Sequence, residues 1–177
     1  MDVHSQKILI DPANLQLSHP IFSKLKTKTI ELLLEESGDL IRLQPGQFLY
    51  KHDQKASSGF IIISGKLQLW NLSHGNFGSV IPGDTLGEDI LLDDKLYKFS
   101  QENYNYTEDC VRQENAEALE ETCVFEINRD KWKLMNEILI KIRLQIDFFT
   151  LTNIMKKNFT KRKAWMRFKH NGVNQLL

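Results

Sequence analysis

Two cysteines, Cys110 and Cys123, are all the thiol chemistry that 177 residues supply. That excludes a disulfide framework and a thiolate zinc site, and free thiols suit a reducing, cytoplasmic setting. No apolar run approaches the roughly 20 residues that span a bilayer. The opening stretch, "MDVHSQKILIDPANLQL", lacks the charged-then-apolar order of a secretory signal. The five histidines (His4, His19, His52, His74 and His170) are scattered without metal-ligand spacing. A phosphate-binding P-loop and a nucleophile elbow are also missing. The expectation is therefore no metal, no catalytic residues and no enzyme.

Charge of either sign is plentiful, but it is segregated. Lys and Arg number 23, as do Asp and Glu, so the formal charge cancels. Between Glu88 and Glu121 the only bases are Lys95, Lys98 and Arg112. From Lys156 to Lys169 every charge is basic: Lys156, Lys157, Lys161, Arg162, Lys163, Arg167 and Lys169. An acidic middle and a basic end suit local partners better than a nucleic acid tracked by the whole chain.

The chain reads as one domain with extensions: a leader over residues 1–19, a domain over 20–142 and a basic helical extension over 143–177. The leader is expected to be irregular. Helix signals begin at "HPIFSKLKTKTIELLLEESG", with Pro20 in a first turn, an apolar face of Ile30, Leu33 and Leu34, and Gly38 as C-cap. From Leu40 the period becomes that of strands. "LIRLQPGQFLYKHDQ" predicts strand, turn and strand, with Pro45-Gly46 at the centre of a type II turn.

"GFIIISGKLQLWN", "FGSVIPGDTLGE" and "NAEALEETCVFEIN" add further short strands, with Ile61, Ile63, Leu67 and Leu69 facing inward. Many short strands between turns predict a β-jelly-roll barrel in a mainly β, α+β chain. Asn128 is placed to cap a helix whose stripe is Trp132, Met135, Leu139, Ile142, Ile146 and Phe149. Beyond Ile142 such a helix outruns a small barrel, and either a partner or a fold-back must cover it.

In this order and spacing the segments resemble the cyclic nucleotide-binding domain family across residues 21–142. "GDTLGEDILL" looks like the start of that family's phosphate-binding cassette, and "NAEALEETCVFEINRDKW" like its closing strands and following helix. The resemblance implies a jelly-roll barrel with flanking helices and a cyclic nucleotide, cAMP or cGMP, as ligand.

It also implies site residues. Glu88, following Gly87, would accept a hydrogen bond from the ribose. The backbone of Asp89 and Ile90 would face the cyclic phosphate, and Arg112 would pair with its charge. Asn115 stands where the family has a hydroxyl and can still donate. Two features set this chain apart. Glu114 puts a carboxylate where the family has a small residue, two positions from Arg112 and on the same side of a strand, so the two side chains are expected to pair. The stretch before Arg112 is longer than usual and carries Tyr97, Phe99, Tyr104 and Tyr106.

Three functions compete. One is a cAMP or cGMP sensor that repositions its C-terminal helices. Another is a scaffold that keeps the fold for protein contacts while ligand binding weakens or is lost. A transcription regulator would need a recognition helix that residues 143–177 do not offer. The drifted electrostatics favour the scaffold, a subunit held by its C-terminal helices in a larger cytoplasmic assembly, with a cilium or axoneme among the settings that suit it. Trp165, Met166 and Phe168 make a protein the expected partner of the basic tail.

Overall fold

The computed structural model describes residues 10–92 and 110–174, with side chains through residue 166. Among the described residues, eight strands are arranged in two antiparallel sheets. One runs β1 (Gly38–Leu43), β8 (Thr122–Asn128), β3 (Ser58–Ser64), β6 (Thr85–Leu86). The other runs β2 (Phe48–Tyr50), β7 (Asn115–Ala118), β4 (Leu67–Asn71), β5 (Gly75–Val80). The helices are α1 (Pro12–Ser18), α2 (Thr27–Leu32), α3 (Arg129–Lys141) and α4 (Gln145–Asn174). This is the expected mainly β jelly roll with helices at both ends.

Local chemistry explains most of the turns. Pro45 fixes the first central residue of the β1–β2 turn, and Gly46 takes the second at φ 81°, closed by Gln47 N–H to Gln44 O at 3.0 Å. Gly38 stands at the helix C-cap as expected, but in extended rather than left-handed backbone. Its φ is 178°, it opens β1, and a Cβ there would run into the Glu126 carbonyl on β8. The helix before it ends instead as a single wide turn, Leu33–Ser37, closed by Ser37 Oγ donating to Leu33 O at 2.6 Å.

The core has two compartments. Between the sheets lie Phe60, Ile62, Leu67, Leu69, Leu86 and Val124 among others, drawn from strands of both. On the outer face of the first sheet, Ile61, Phe125 and Ile127 meet Phe22, Ile30, Trp132, Met135 and Leu139 of the helical segments. Strand β3 is thus buried on both faces, and Ile61 points to the helices rather than into the barrel. Leu67 and Leu69 are inward as expected, whereas Ile63 is only half-buried.

The leader is not irregular throughout: residues 12–18 form α1, with Pro12 in the first turn and Asp11 Oδ1 accepting from Ala13 N–H at 3.0 Å. At its end, His19 is buried between Ile62 O, which accepts from Nε2 at 2.8 Å, and the N–H groups of Ile21 and Phe22, which donate to Nδ1 at 3.2 and 3.4 Å.

Asn128 caps α3 as expected, accepting from Asp130 N–H at 2.9 Å. The apolar stripe, however, does not continue on one straight helix. Arg143 adopts φ 61°, the chain turns, and α4 begins at Gln145. Trp132, Met135 and Leu139 are buried, but Ile146 and Phe149 face solvent. The fold-back is made by Leu151 and Met155, each worth roughly 1.5–3 kcal/mol on burial. It is locked at its base by Asp147, whose Oδ2 accepts from Lys26 N–H at 2.9 Å and Thr29 Oγ1 at 2.5 Å. That lock points α4 back across β5 and β6, toward the Gly87-Glu88 turn.

Candidate functional site

Gly87 takes φ 58°, a left-handed conformation that glycine adopts without penalty. This bend starts a short 3-10 turn, Glu88–Ile90, and the guanidinium of Arg112 occupies the space a Cβ would need. Arg112 is held by its own backbone: its N–H donates to Gln54 O and its carbonyl accepts from Asp53 N–H, both at 2.9 Å. Its Nη2 donates to Ser58 O at 2.6 Å, and its guanidinium lies over the rings of Tyr50 and Phe60 at 4.5 and 5.2 Å. The fold therefore brings Gly87 and Arg112 into one pocket from distant parts of the chain.

Ile90 and Asn115 are already engaged. Ile90 N–H turns back to Gly87 O at 3.3 Å, and the Ile90 side chain enters the helix-side core. Asn115 spends its Oδ1 on His52 N–H at 2.9 Å, tying the end of β2 to β7. Asp89 stands half-buried beside Glu88, and burial followed by Glu88's charge pushes its pKa up.

Glu114 departs from expectation. It forms no ion pair with Arg112 among the described residues; its Oε1 accepts from Tyr50 Oη at 2.8 Å. Burial raises its pKa, while the Tyr50 hydrogen bond and the charges of Arg162 and Arg112 oppose the rise. Tyr50 sits between the two: its hydroxyl serves Glu114 and its ring carries Arg112. The tyrosine-bearing stretch, with Tyr97, Phe99, Tyr104 and Tyr106, lies outside the described residues.

Arg162 is the residue that sequence reasoning missed. It was one cation in a basic run, expected to face solvent or a partner. In the structure it is inserted from α4 onto Glu88, with Nη2 to Oε2 at 2.5 Å and Nη1 to Oε1 at 3.2 Å. Nη1 also donates to Thr85 O at 2.6 Å, and Thr85 Oγ1 donates to Glu88 Oε1 at 2.7 Å. Glu88 is fully shielded and the Arg162 side chain is only 13% exposed. Burial alone would lower Arg162's pKa, but Glu88's charge and hydrogen bonds reverse that and hold it above its usual range, so the guanidinium stays charged.

One turn before, Asn158 Nδ2 donates to Gly83 O at 3.0 Å, and nearly one turn later the Trp165 ring fills the space a Cβ on Gly78 would need. Asn158, Arg162 and Trp165 are spaced four and three apart, which is one face of a helix. That spacing was the only sequence signal for the contact. Beside Arg162 a cavity of about 290 Å³ is bounded by Leu69, Val80, Asp84, Asn158 and Trp165.

A buried arginine and a carboxylate at a left-handed Gly-Glu turn, in a fold of two four-stranded sheets, agree with what the comparisons find. The cyclic nucleotide-binding domain profile matches residues 40–137. Solved structures share the fold at low identity. A protein of Geobacter metallireducens GS-15, described as a candidate cyclic nucleotide-binding protein, is 19% identical with a TM-score of 0.60, covering 87% of this chain and 98% of its own. The catabolite activator protein of Thermus thermophilus is 17% identical with a TM-score of 0.58, over 88% of this chain and 63% of its own. The c-di-GMP responsive global regulator of Xanthomonas campestris is 16% identical with a TM-score of 0.60, over 82% and 63%. No curated protein sequence matches. The profile takes in more than half of the sequence, Gly87, Glu88, Arg112 and Asn115 included, and the chain belongs to the cyclic nucleotide-binding domain family.

Proposed function

We propose that this chain is a non-enzymatic cyclic nucleotide-binding-like domain that acts as a protein-interaction or assembly subunit, with cyclic nucleotide binding weak or lost. The observation that carries the reading is the Arg162–Glu88 pair. Glu88, the residue that would hold a ribose, already has both carboxylate oxygens engaged by a buried guanidinium. A nucleotide must break that pair before it can use Glu88, and breaking one side of a buried ion pair costs about 3–5 kcal/mol. Glu114 adds a second obstacle by placing a carboxyl group within the pocket beside Arg112 and Tyr50.

The elbow between α3 and α4 supports a protein partner. Leu134, Ile140, Ile142, Ile146 and Phe149 are exposed there, with Lys133, Lys141 and Arg143 among them. Among the described residues no helix is long and apolar enough to cross a membrane. A cytoplasmic assembly, a cilium or axoneme included, accords with this reading. The alternative, a cAMP or cGMP sensor that moves its C-terminal helices, is favoured by one feature: Arg162 links α4 directly to the pocket, so a ligand that displaced it would release the helix.

Isothermal titration of the full chain with cAMP and with cGMP decides between them. The scaffold reading expects no saturable heat at micromolar nucleotide. Micromolar or tighter binding of either nucleotide by the unmodified protein would overturn it.

A further inference from the structure

We infer that the pocket behind Glu88 is a receptor for a guanidinium group, filled in this chain by Arg162. The inference rests on the reading that the pocket no longer serves a cyclic nucleotide, and it names what the pocket takes instead. Three acceptors converge on one planar fork: Glu88 Oε1, Glu88 Oε2 and Thr85 O, at 3.2, 2.5 and 2.6 Å from the two terminal nitrogens of Arg162. A compact ammonium offers no such fixed pair of nitrogens, so the geometry selects arginine over lysine.

Contacts other than those of Arg162 hold the acceptors in place. Thr85 Oγ1 donates to Glu88 Oε1, which fixes the carboxylate. Leu92 N–H and Leu91 N–H both donate to Glu88 O, at 2.9 and 3.0 Å, which fixes its backbone. Glu88 is fully shielded, so this carboxylate is aimed inward rather than solvated.

Charge points the same way. Glu88, Asp89 and Glu114 share the pocket with Arg112 and Arg162. When α4 lifts, it takes Arg162 and the Lys163 charge near Asp89 with it, and Arg112 alone faces three carboxyl groups. Arg112 is itself committed to Ser58 O and to the faces of Tyr50 and Phe60. An opened pocket of this composition attracts a cation and disfavours a cyclic phosphate.

The ligand is thus an arginine side chain carried on a helix. Asn158, four residues earlier, holds the carbonyl of Gly83, and Trp165, three residues later, covers Gly78. When α4 lifts, a helix with the same three side chains at the same spacing can take its place.

Chemical rescue tests this. The full chain with Arg162→Ala should show a lowered Tm, and N-ethylguanidinium should restore at least half of the loss, saturably, at concentrations where n-propylammonium does not. A synthetic peptide of residues 152–169 should bind the variant, and its Arg162→Lys counterpart should bind at least tenfold more weakly. Adding Glu88→Gln should abolish both effects.

If the alanine variant does not fold, the unmodified protein answers by nuclear magnetic resonance. Arg162 should show separate, slowly exchanging Nη proton signals that collapse in Glu88→Gln. A single averaged Nη signal, equal responses to guanidinium and ammonium, or no rescue in a folded variant would each overturn the inference. Nucleotide binding by the unmodified protein would overturn the scaffold reading, whereas failed rescue without nucleotide binding would overturn only this one.

Discussion

Glu88 and Arg162, 74 residues apart in sequence, meet through contacts of 3.2 and 2.5 Å in a site from which Glu88 is wholly closed to solvent. The pair ties the last helix to the turn that would receive a ligand. Its energetics are those of a buried pair: costly to halve and less costly to remove altogether.

Arg162→Ala and Glu88→Ala are each expected to cost about 3–5 kcal/mol of folding stability. Each leaves a charge buried without its partner. The double variant should be more stable than the sum of the two losses predicts, by at least 1 kcal/mol of coupling on the order seen for contacting residues. Urea denaturation of the four proteins gives the cycle. Strict additivity would mean that the two side chains are not paired in solution.

Acid should destabilise the fold through His19. Its Nε2–H donates to Ile62 O while Nδ1 accepts from two backbone N–H groups, which fixes the neutral imidazole. Burial lowers its pKa from 6.5, against the opposing effect of the Ile62 hydrogen bond. With the folded value below the unfolded one, the unfolded chain takes up the proton first, and stability falls as pH drops below about 6.5. Asp89 and Glu114 act in the opposite sense: their raised values favour the fold as they become protonated. Comparing Tm against pH for the wild type and His19→Gln isolates the histidine. The variant should lose the part of the decline that begins near 6.5, and an identical slope in both would count against this assignment.

The strands were legible because period-two alternation and Pro-Gly punctuation act locally, as at Pro45-Gly46. The Asn128 cap was legible for the same reason. The Gly38 cap was legible too, but not why glycine is required there: the Glu126 carbonyl lies 88 positions along the chain and is paired only once β1 and β8 meet. The Trp132–Phe149 stripe was misread as one continuous seam because periodicity carries through a turn that a single residue, Arg143, can make in the left-handed region. Arg162 was invisible for a different reason. A buried cation looks like any other member of a basic run until its acceptor is known, and that acceptor lies on the far side of the barrel sequence.

Asp147 should matter more than an ordinary helix acid. It serves two groups of another helix, Lys26 N–H and Thr29 Oγ1, and so sets the direction in which α4 leaves the elbow. Asp147→Ala is expected to cost about 1–2 kcal/mol, the usual loss when a capping acceptor is removed. It should also speed amide hydrogen exchange along the first turns of α4. Asp147→Asn, which keeps an acceptor, should recover part of both. If exchange in α4 is unchanged by the alanine variant, the helix is held by Leu151, Met155 and Arg162 without help from its base.

The order in which the pocket can be reopened to a nucleotide follows from the two obstacles. Glu114 was expected to block by pairing with Arg112, in which case Glu114→Ala alone would free the phosphate site. The structure places Glu114 on Tyr50 Oη instead and leaves Glu88 covered by Arg162. Removing Glu114 lessens the repulsion felt by a phosphate but does nothing for the ribose end. Removing Arg162 uncovers Glu88 but deepens the negative potential around Arg112. Each single variant should therefore bind cAMP or cGMP weakly, and Glu114→Ala with Arg162→Ala should bind more tightly than either by at least tenfold. Arg112→Ala added to that double variant should remove the gain, by roughly 1.5–3 kcal/mol for a hydrogen bond to a charged group. Titration calorimetry across the series reads this directly. Recovery of tight binding by Glu114→Ala alone would show that Arg162 yields to a nucleotide readily and is no barrier at all.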